Sequence, residues 1–152
     1  MWYLNTNLKY GLDAFTVPFE PSQEQLEEYY GFVYVIIEKS TGKKYIGKKF
    51  IWNQKILPQT KTRKRRQRTL VESDWRSYFG SSKEVQSLVE QNGENNYTRI
   101  ILKLCKSKGE CSYYEAKYQF EYDVLLRDDF YNEFIGCKIH SKHVRNIDEK
   151  TN

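Results

Sequence analysis

Two short stretches rich in β-branched and aromatic residues, 33–37 and 45–50, flank Ser40-Thr41-Gly42-Lys43, and this pattern constrains the chain more than any other. Val33, Val35, Ile36 and Ile37, then Tyr45, Ile46 and Phe50, have strand composition, and the residues between them carry turn chemistry. The stretch therefore reads as a β-hairpin. A loop of Thr41-Gly42, or of all four turn residues, gives a single register: Lys39 opposite Lys44, Glu38 opposite Tyr45, Ile36 opposite Gly47 and Tyr34 opposite Lys49. A three-residue loop would break that parity. In this register Tyr34, Tyr45, Gly47 and Lys49 project from one face, and Gly47 leaves an open space between two phenols and an ammonium group. Such a space suits a phosphodiester.

Composition agrees with an anionic partner. At 152 residues and 18.3 kDa the chain has single-domain length and enough residues to bury one core without staples. Its net charge of +5 and pI near 9.0 suit a polyanion, although many unrelated soluble proteins share so modest an excess. Thirteen tyrosines, within an aromatic content of 16%, serve core packing or base and sugar contacts equally well. No apolar run is long enough to span a membrane, and Met1-Trp2-Tyr3-Leu4 lacks the pattern of a signal peptide. The expectation is a soluble, intracellular (cytoplasmic) protein without a membrane partner. Cys105, Cys111 and Cys137 are odd in number and lack Cys-x-x-Cys spacing, which points to reduced thiols. Cys137, His140 and His143 could supply three zinc ligands, but structural zinc usually takes four, and solvent-facing histidines are the competing reading.

Along the chain, residues 1–30 read as an irregular arm ending in a short helix, with a capping box at Ser22-Gln23-Glu24-Gln25. A core follows over 31–137 and a tail over 138–152. Within the core, 51–72 reads as an unpatterned insertion centred on Lys61, Arg63, Lys64, Arg65, Arg66 and Arg68. Charge of one sign at this density repels itself unless an anion neutralises it, so the run is expected to contact phosphate; a solvated loop or a targeting signal is the alternative. Ser82 caps a helix that runs through Asn92 to a Gly93 stop, and Val85, Leu88 and Val89 form its apolar stripe. The run Ile100-Ile101-Leu102 reads as a central strand over 97–104 that pairs with the hairpin.

A second helix is expected over 110–126. At 100° per residue, Cys111, Tyr114, Tyr118, Tyr122 and Leu125 share one stripe with Leu126 at its edge, and Glu115 falls inside that arc. A carboxylate directed at a core is costly unless paired, so Glu115 requires either a metal ion or an Arg or Lys partner.

Phe32-Val33-Tyr34 and Tyr45-Ile46-Gly47 resemble the paired signature of the GIY-YIG nuclease family, with Phe-Val standing where the family has Gly-Ile. The later features resemble its phage-type homing-endonuclease branch: Tyr78-Phe79-Gly80-Ser81-Ser82, the helix ending at Asn92-Gly93, the strand Arg99-Ile100-Ile101-Leu102, the Glu115 helix and Tyr131-Asn132. The resemblance implies an α/β (α+β) fold, a small three-stranded antiparallel sheet flanked by helices. It further implies a metal-dependent DNA endonuclease that leaves 5′-phosphate and 3′-hydroxyl ends and acts as a monomer or DNA-induced dimer.

Residue roles follow from the same resemblance. Tyr34 is the general base or water-orienting group, Tyr45 orients the scissile phosphate, and Glu115 holds Mg²⁺ or Mn²⁺. Arg76 is the first choice for the family's arginine, with Lys49, Arg63 and Arg65 competing; Lys49 and Arg76 would neutralise developing charge. A tyrosine near pKa 10 is a poor base, so neighbouring cations must lower it or the metal must share the work. Trp75 and Tyr78 are core aromatics or a shelf beside DNA, and Asn132 is an active-site support or a turn residue. A noncatalytic nucleic-acid-binding protein with the same fold, or a structural RNA binder, would retain the basic run and aromatics without the chemistry.

Overall fold

A computed structural model describes residues 1–147. The expected hairpin is β3 (Gly31–Glu38) and β4 (Lys44–Phe50), and β7 (Tyr97–Cys105) pairs antiparallel with β3 on its other side. This three-stranded antiparallel unit is embedded in a five-stranded mixed sheet. The supposed irregular arm supplies β1 (Trp2–Asn5), which runs parallel to β7, and β2 (Thr16–Pro18), giving the order β2-β1-β7-β3-β4. Both added strands are too short to show the alternation by which a strand is recognised in sequence.

Tyr34 lies opposite Gly47, and Ile36 opposite Tyr45, two residues away from the expected register. The loop is four residues long but begins at Lys39: Glu38 N donates to Lys43 O at 2.8 Å, and Gly42 closes the turn at φ +76°. An even offset preserves parity, so Tyr34, Tyr45, Gly47 and Lys49 still share a face.

Alternation along β3 builds two apolar layers. Val33 and Val35, with Ile46, Ile100 and Leu102, pack against Cys111, Tyr114 and Tyr118 of α3 (Lys108–Glu121). Phe32, Tyr34 and Ile36, with Trp2, Trp75 and Ile101, face the layer that includes Val85 and Val89 of α2 (Lys83–Asn92). Fully burying an aliphatic or aromatic side chain contributes roughly 1.5–3 kcal/mol, so β3, buried on both faces, anchors the molecule. A register shift in the β3–β7 ladder falls between Val33 and Tyr34, a bulge beside the residue expected to be catalytic.

The helices begin where their caps predict. Ser22 and Gln25 form the reciprocal capping box of α1 (Gln23–Glu27), and Ser82 caps α2, each cap contributing about 1 kcal/mol. Helix α3 stops earlier than expected, because Asp123 adopts φ +49° just after Tyr122. The stripe therefore fails beyond Tyr122, which still packs against the core: Val124 is buried, while Leu125 is exposed and Leu126 is 84% exposed.

The basic insertion is also more ordered than its sequence suggested. Strands β5 (Trp52–Leu57) and β6 (Gln67–Glu72) pair over six positions as a separate two-stranded ribbon. The C-terminal tail is described as far as Ile147, and its remaining positions lie outside the described residues.

Candidate active site at the open edge of the sheet

Strand β4 is an edge strand, so its outward N–H and C=O groups need partners from elsewhere. Backbone supplies the first pair, with Lys44 N donating to Asp129 O at 2.8 Å and Tyr131 N donating to Lys44 O at 2.7 Å. Side chains continue the ladder. Ile46 N donates to Asn132 Oδ1 at 3.0 Å, while Ile46 O accepts from Asn132 Nδ2 at 2.8 Å and Gln119 Nε2 at 3.0 Å. Glu115 closes the next position: its carboxylate accepts from the Lys48 backbone N–H, and Lys48 Nζ lies 3.2 Å from its Oε1. Asn132, Gln119 and Glu115 thus fix the strand that carries Tyr45 and Gly47. Asn132 therefore braces β4 through both backbone groups of Ile46.

Around Gly47 the expected open space is occupied. A Cβ there would fall 2.5 Å from Tyr34 Oη and 3.0 Å from a ring carbon of Tyr45, so glycine is required because the Tyr34 phenol lies over the backbone. Gly80, at φ +92°, brings a second stretch of backbone close, since its Cβ would fall 3.5 Å from the same hydroxyl. Tyr34 is fully buried, and its hydroxyl lies beside the Tyr78 phenol without a hydrogen bond of ordinary geometry to any of the described residues. Leaving such a group unpaired costs about 1–3 kcal/mol.

Burial, and after it the Tyr78 and Tyr45 phenols and the Glu115 carboxylate, raises the Tyr34 pKa well above its ordinary value. Among the described residues no cation offsets this rise, so the protein's own charges do not prepare Tyr34 as a base. Tyr45 is also raised, chiefly by burial, with the opposing hydrogen bond to Ser81 Oγ at 2.9 Å. Both phenols keep their protons at neutral pH. Glu115 is raised too, because desolvation outweighs the stabilising Lys48.

Tyr45, Ser81, Glu115, Gln119 and Asn132 line a cleft of about 380 Å³, and Lys83 at the start of α2 reaches it as well. Of the expected site residues, the fold brings Tyr45, Glu115 and Asn132 into this cleft, with Tyr34 behind Gly47. Two cations lie elsewhere. Lys49 Nζ sits 2.6 Å from Asp74 and 4.1 Å from the centre of the Tyr78 ring, and it holds the Asp74 carboxyl below its usual range. Arg76 donates to Glu72 at 3.0 Å and stacks over the Trp75 indole at 4.5 Å. Trp75 is 1% exposed, its Nε1 bonded to Glu72 and its carbonyl accepting from Trp2, so it is a core residue and not a shelf for DNA.

Side-chain parity directs Lys48 to the face opposite the tyrosines, but that face carries α3 and Glu115, and the two faces meet at the edge of β4. Gln119 was legible as the residue four after Glu115 on the same helix. Arg99 was not: its guanidinium stacks between Trp2 and Phe79, at 4.8 and 4.2 Å, and donates to the carbonyls of Arg76 and Tyr78 at 3.0 Å each. It fastens the segment that leads to Gly80.

In the insertion Lys61, Lys64, Arg65, Arg66 and Arg68 are exposed, whereas Arg63 is folded back onto Gln67 and Pro58 O. His140 and His143 each direct Nδ1 at a nearby backbone N–H, and Cys137 is exposed. No group of three or more potential metal ligands occurs among the described residues.

Residues 15–135 match the family model described as "Putative endonuclease segE, GIY-YIG domain". The chain belongs to the GIY-YIG nuclease family. The match covers both signature triplets, the ribbon, Glu115 and Asn132, so the cleft lies inside the GIY-YIG domain. No curated protein and no solved structure matches the chain. Membership points to nuclease as the class of activity, and among the described residues no helix is long and apolar enough to cross a membrane.

Proposed function

We propose that this protein is a metal-dependent DNA endonuclease that hydrolyses a phosphodiester to a 5′-phosphate and a 3′-hydroxyl. The observation that carries this reading is the convergence of the Tyr45 hydroxyl and the Glu115 carboxylate in one cleft at the open edge of β4, with the Tyr34 hydroxyl enclosed behind Gly47. In the reaction a water oxygen bonds to phosphorus, the bond from phosphorus to O3′ breaks, and O3′ takes up a proton. The cleft supplies fixed hydrogen-bond donors on one side and a carboxylate on the other.

Residues present fit a divalent cation. Glu115 is a largely desolvated carboxylate whose negative charge is costly where it lies, and Lys48 offsets only part of that cost. Glu115 would hold Mg²⁺ or Mn²⁺, which when bound supplies positive charge beside the leaving oxygen. Tyr45, braced by Ser81, donates to a nonbridging phosphate oxygen. Tyr34 keeps its proton, and its enclosed hydroxyl joins Tyr45 in orienting water or phosphate only if the backbone at Gly47 or Gly80 shifts. Lys48 and Lys83 balance charge at the cleft; Lys49 and Arg76 join them only by leaving Asp74 and Glu72. Gln119 and Asn132 hold Ile46 and hence the position of Tyr45. Lys61, Lys64, Arg65 and Arg66 at the ribbon tip contact DNA phosphates.

A noncatalytic DNA-binding reading draws on one observation, that the Tyr34 hydroxyl is fully enclosed. Incubation with supercoiled plasmid, with and without Mg²⁺, separates the two. Metal-dependent nicks sealable by DNA ligase establish the nuclease and its 5′-phosphate ends; retention of plasmid without nicking would establish the binder.

A further inference from the structure

The β5–β6 ribbon concentrates nearly all that is chemically unusual on this surface. Residues 52–72 contain seven basic residues against the single acid Glu72, which gives +6 in a chain of total +5, so the remainder of the sequence has one more acid than base. A two-stranded ribbon is marginal in water on its own, and this one leaves Ile56 56%, Leu70 51% and Val71 40% exposed. Its base is nonetheless fixed. Trp52 Nε1 donates to Leu26 O and Tyr29 O, Ser73 Oγ donates to Phe50 O, and Ser73 N donates to Ile51 O at 2.7 Å. Only Ile51 separates β5 from β4, the strand that carries Tyr45 and Gly47.

We infer that the ribbon enters the major groove of duplex DNA and reads base edges there, setting where the cleft cuts. The inference rests on the nuclease reading and deepens it. Six paired positions span roughly 20 Å, and the major groove, about 12 Å wide and 8.5 Å deep, admits a two-stranded ribbon. On one face the register sets Gln54 opposite Leu70 and Ile56 opposite Arg68. Arginine pairs with the O6 and N7 of guanine, glutamine pairs with the N6 and N7 of adenine, and apolar side chains contact the thymine methyl. Between Asn53 and Val71 there is no acidic residue to repel phosphate on either wall. The tip provides sequence-independent charge; the stem provides hydrogen-bonding and apolar groups of the kind that distinguish bases.

The test uses the full chain and duplexes selected by it from a pool with about 20 random base pairs. Each selected duplex is also made with uracil for thymine and 7-deazaguanine for guanine, changes that alter the major groove and leave phosphates and minor-groove edges intact. The expected result is at least tenfold weaker binding to the substituted duplex, and loss of that sensitivity in a variant with Ile56→Ser, Arg68→Gln and Leu70→Ser. All three positions are exposed, and circular dichroism checks that the variant is folded. If the intact protein nicks plasmid yet binds both duplexes equally, or if the variant keeps its sensitivity, the ribbon inference falls and the nuclease stands. If the intact protein neither binds nor nicks DNA, both fall.

Discussion

At the scale of single residues, the site depends on which hydrogens and charges the cleft keeps. Glu115→Gln is expected to lower cleavage at least about a hundredfold by removing the carboxylate that holds the metal. Because burial raises the Glu115 pKa above its unfolded value, the native state favours the protonated form, and the associated stability is lost as pH rises through the folded pKa. At pH 7 the Gln variant should therefore melt no lower than the parent, and any advantage should vanish as pH falls below the ordinary carboxylate range. A melting series from pH 4 to pH 8 checks this. At Mg²⁺ concentrations well below saturation, where the free carboxylate must lose its proton to hold the cation, the acid limb of the pH–rate profile should lie above the ordinary glutamate range. Tyr34→Phe deletes a buried hydroxyl with no partner, so stability should hold or rise while the cleavage rate falls at least tenfold. Unchanged specific activity in that variant would make Tyr34 a packing residue only. The tyrosine pair was legible in the sequence because side-chain parity survives an even register error. The protonation state of Tyr34 was not, since it depends on Gly80 and Tyr78, which arrive from a distant loop.

At the scale of elements, the edge of β4 and the ribbon behave differently on mutation. Asn132→Ala removes both hydrogen bonds to Ile46 and leaves its N–H without that acceptor, at an expected cost of about 1–3 kcal/mol in urea unfolding. The folded fraction should also nick more slowly, because Tyr45 is then held by one fewer brace; full specific activity would confine Asn132 to stability. At the ribbon tip, changing Lys61, Lys64, Arg65 and Arg66 to Gln should flatten the salt dependence of log affinity by about two to four, at roughly 0.9 per phosphate contact. Affinity measured across a salt series decides it, and an unchanged slope would mean that the tip does not meet phosphate. Helices α1 and α2 could be read from their caps. The ribbon could not, because Ile56, Leu70 and Val71 are exposed along it and no period-2 burial pattern marks its strands. The end of α3 was also hidden, since nothing in Tyr122-Asp123 announces a left-handed backbone at Asp123.

For the whole molecule, the antiparallel trio β4-β3-β7 and its flanking helices were expected from hydrophobic pattern and family resemblance, and the trio forms three adjacent strands of the sheet with β4 at its edge. Strands β1 and β2 extend it from a segment that carries no periodic signal and finds its place only by pairing with β7. The same division holds for the site. Residues marked by the pattern of their own element, such as Tyr45 on β4 and Glu115 on α3, could be found in order along the sequence, whereas Lys48 beside Glu115 and Arg99 beneath Tyr78 arise from packing between elements. Both faces of the sheet contribute to one cleft because β4 lies at an edge, and that geometry makes a carboxylate on α3 a neighbour of a tyrosine on the other face. The central claim is that this edge cleft is a metal-dependent nuclease site. The most direct measurement is the conversion of supercoiled plasmid to nicked and linear forms by the full chain and by Glu115→Gln, each with and without Mg²⁺. Conversion is expected only for the unaltered chain with Mg²⁺; equal conversion by Glu115→Gln, or conversion unaffected by chelating the metal, would contradict it.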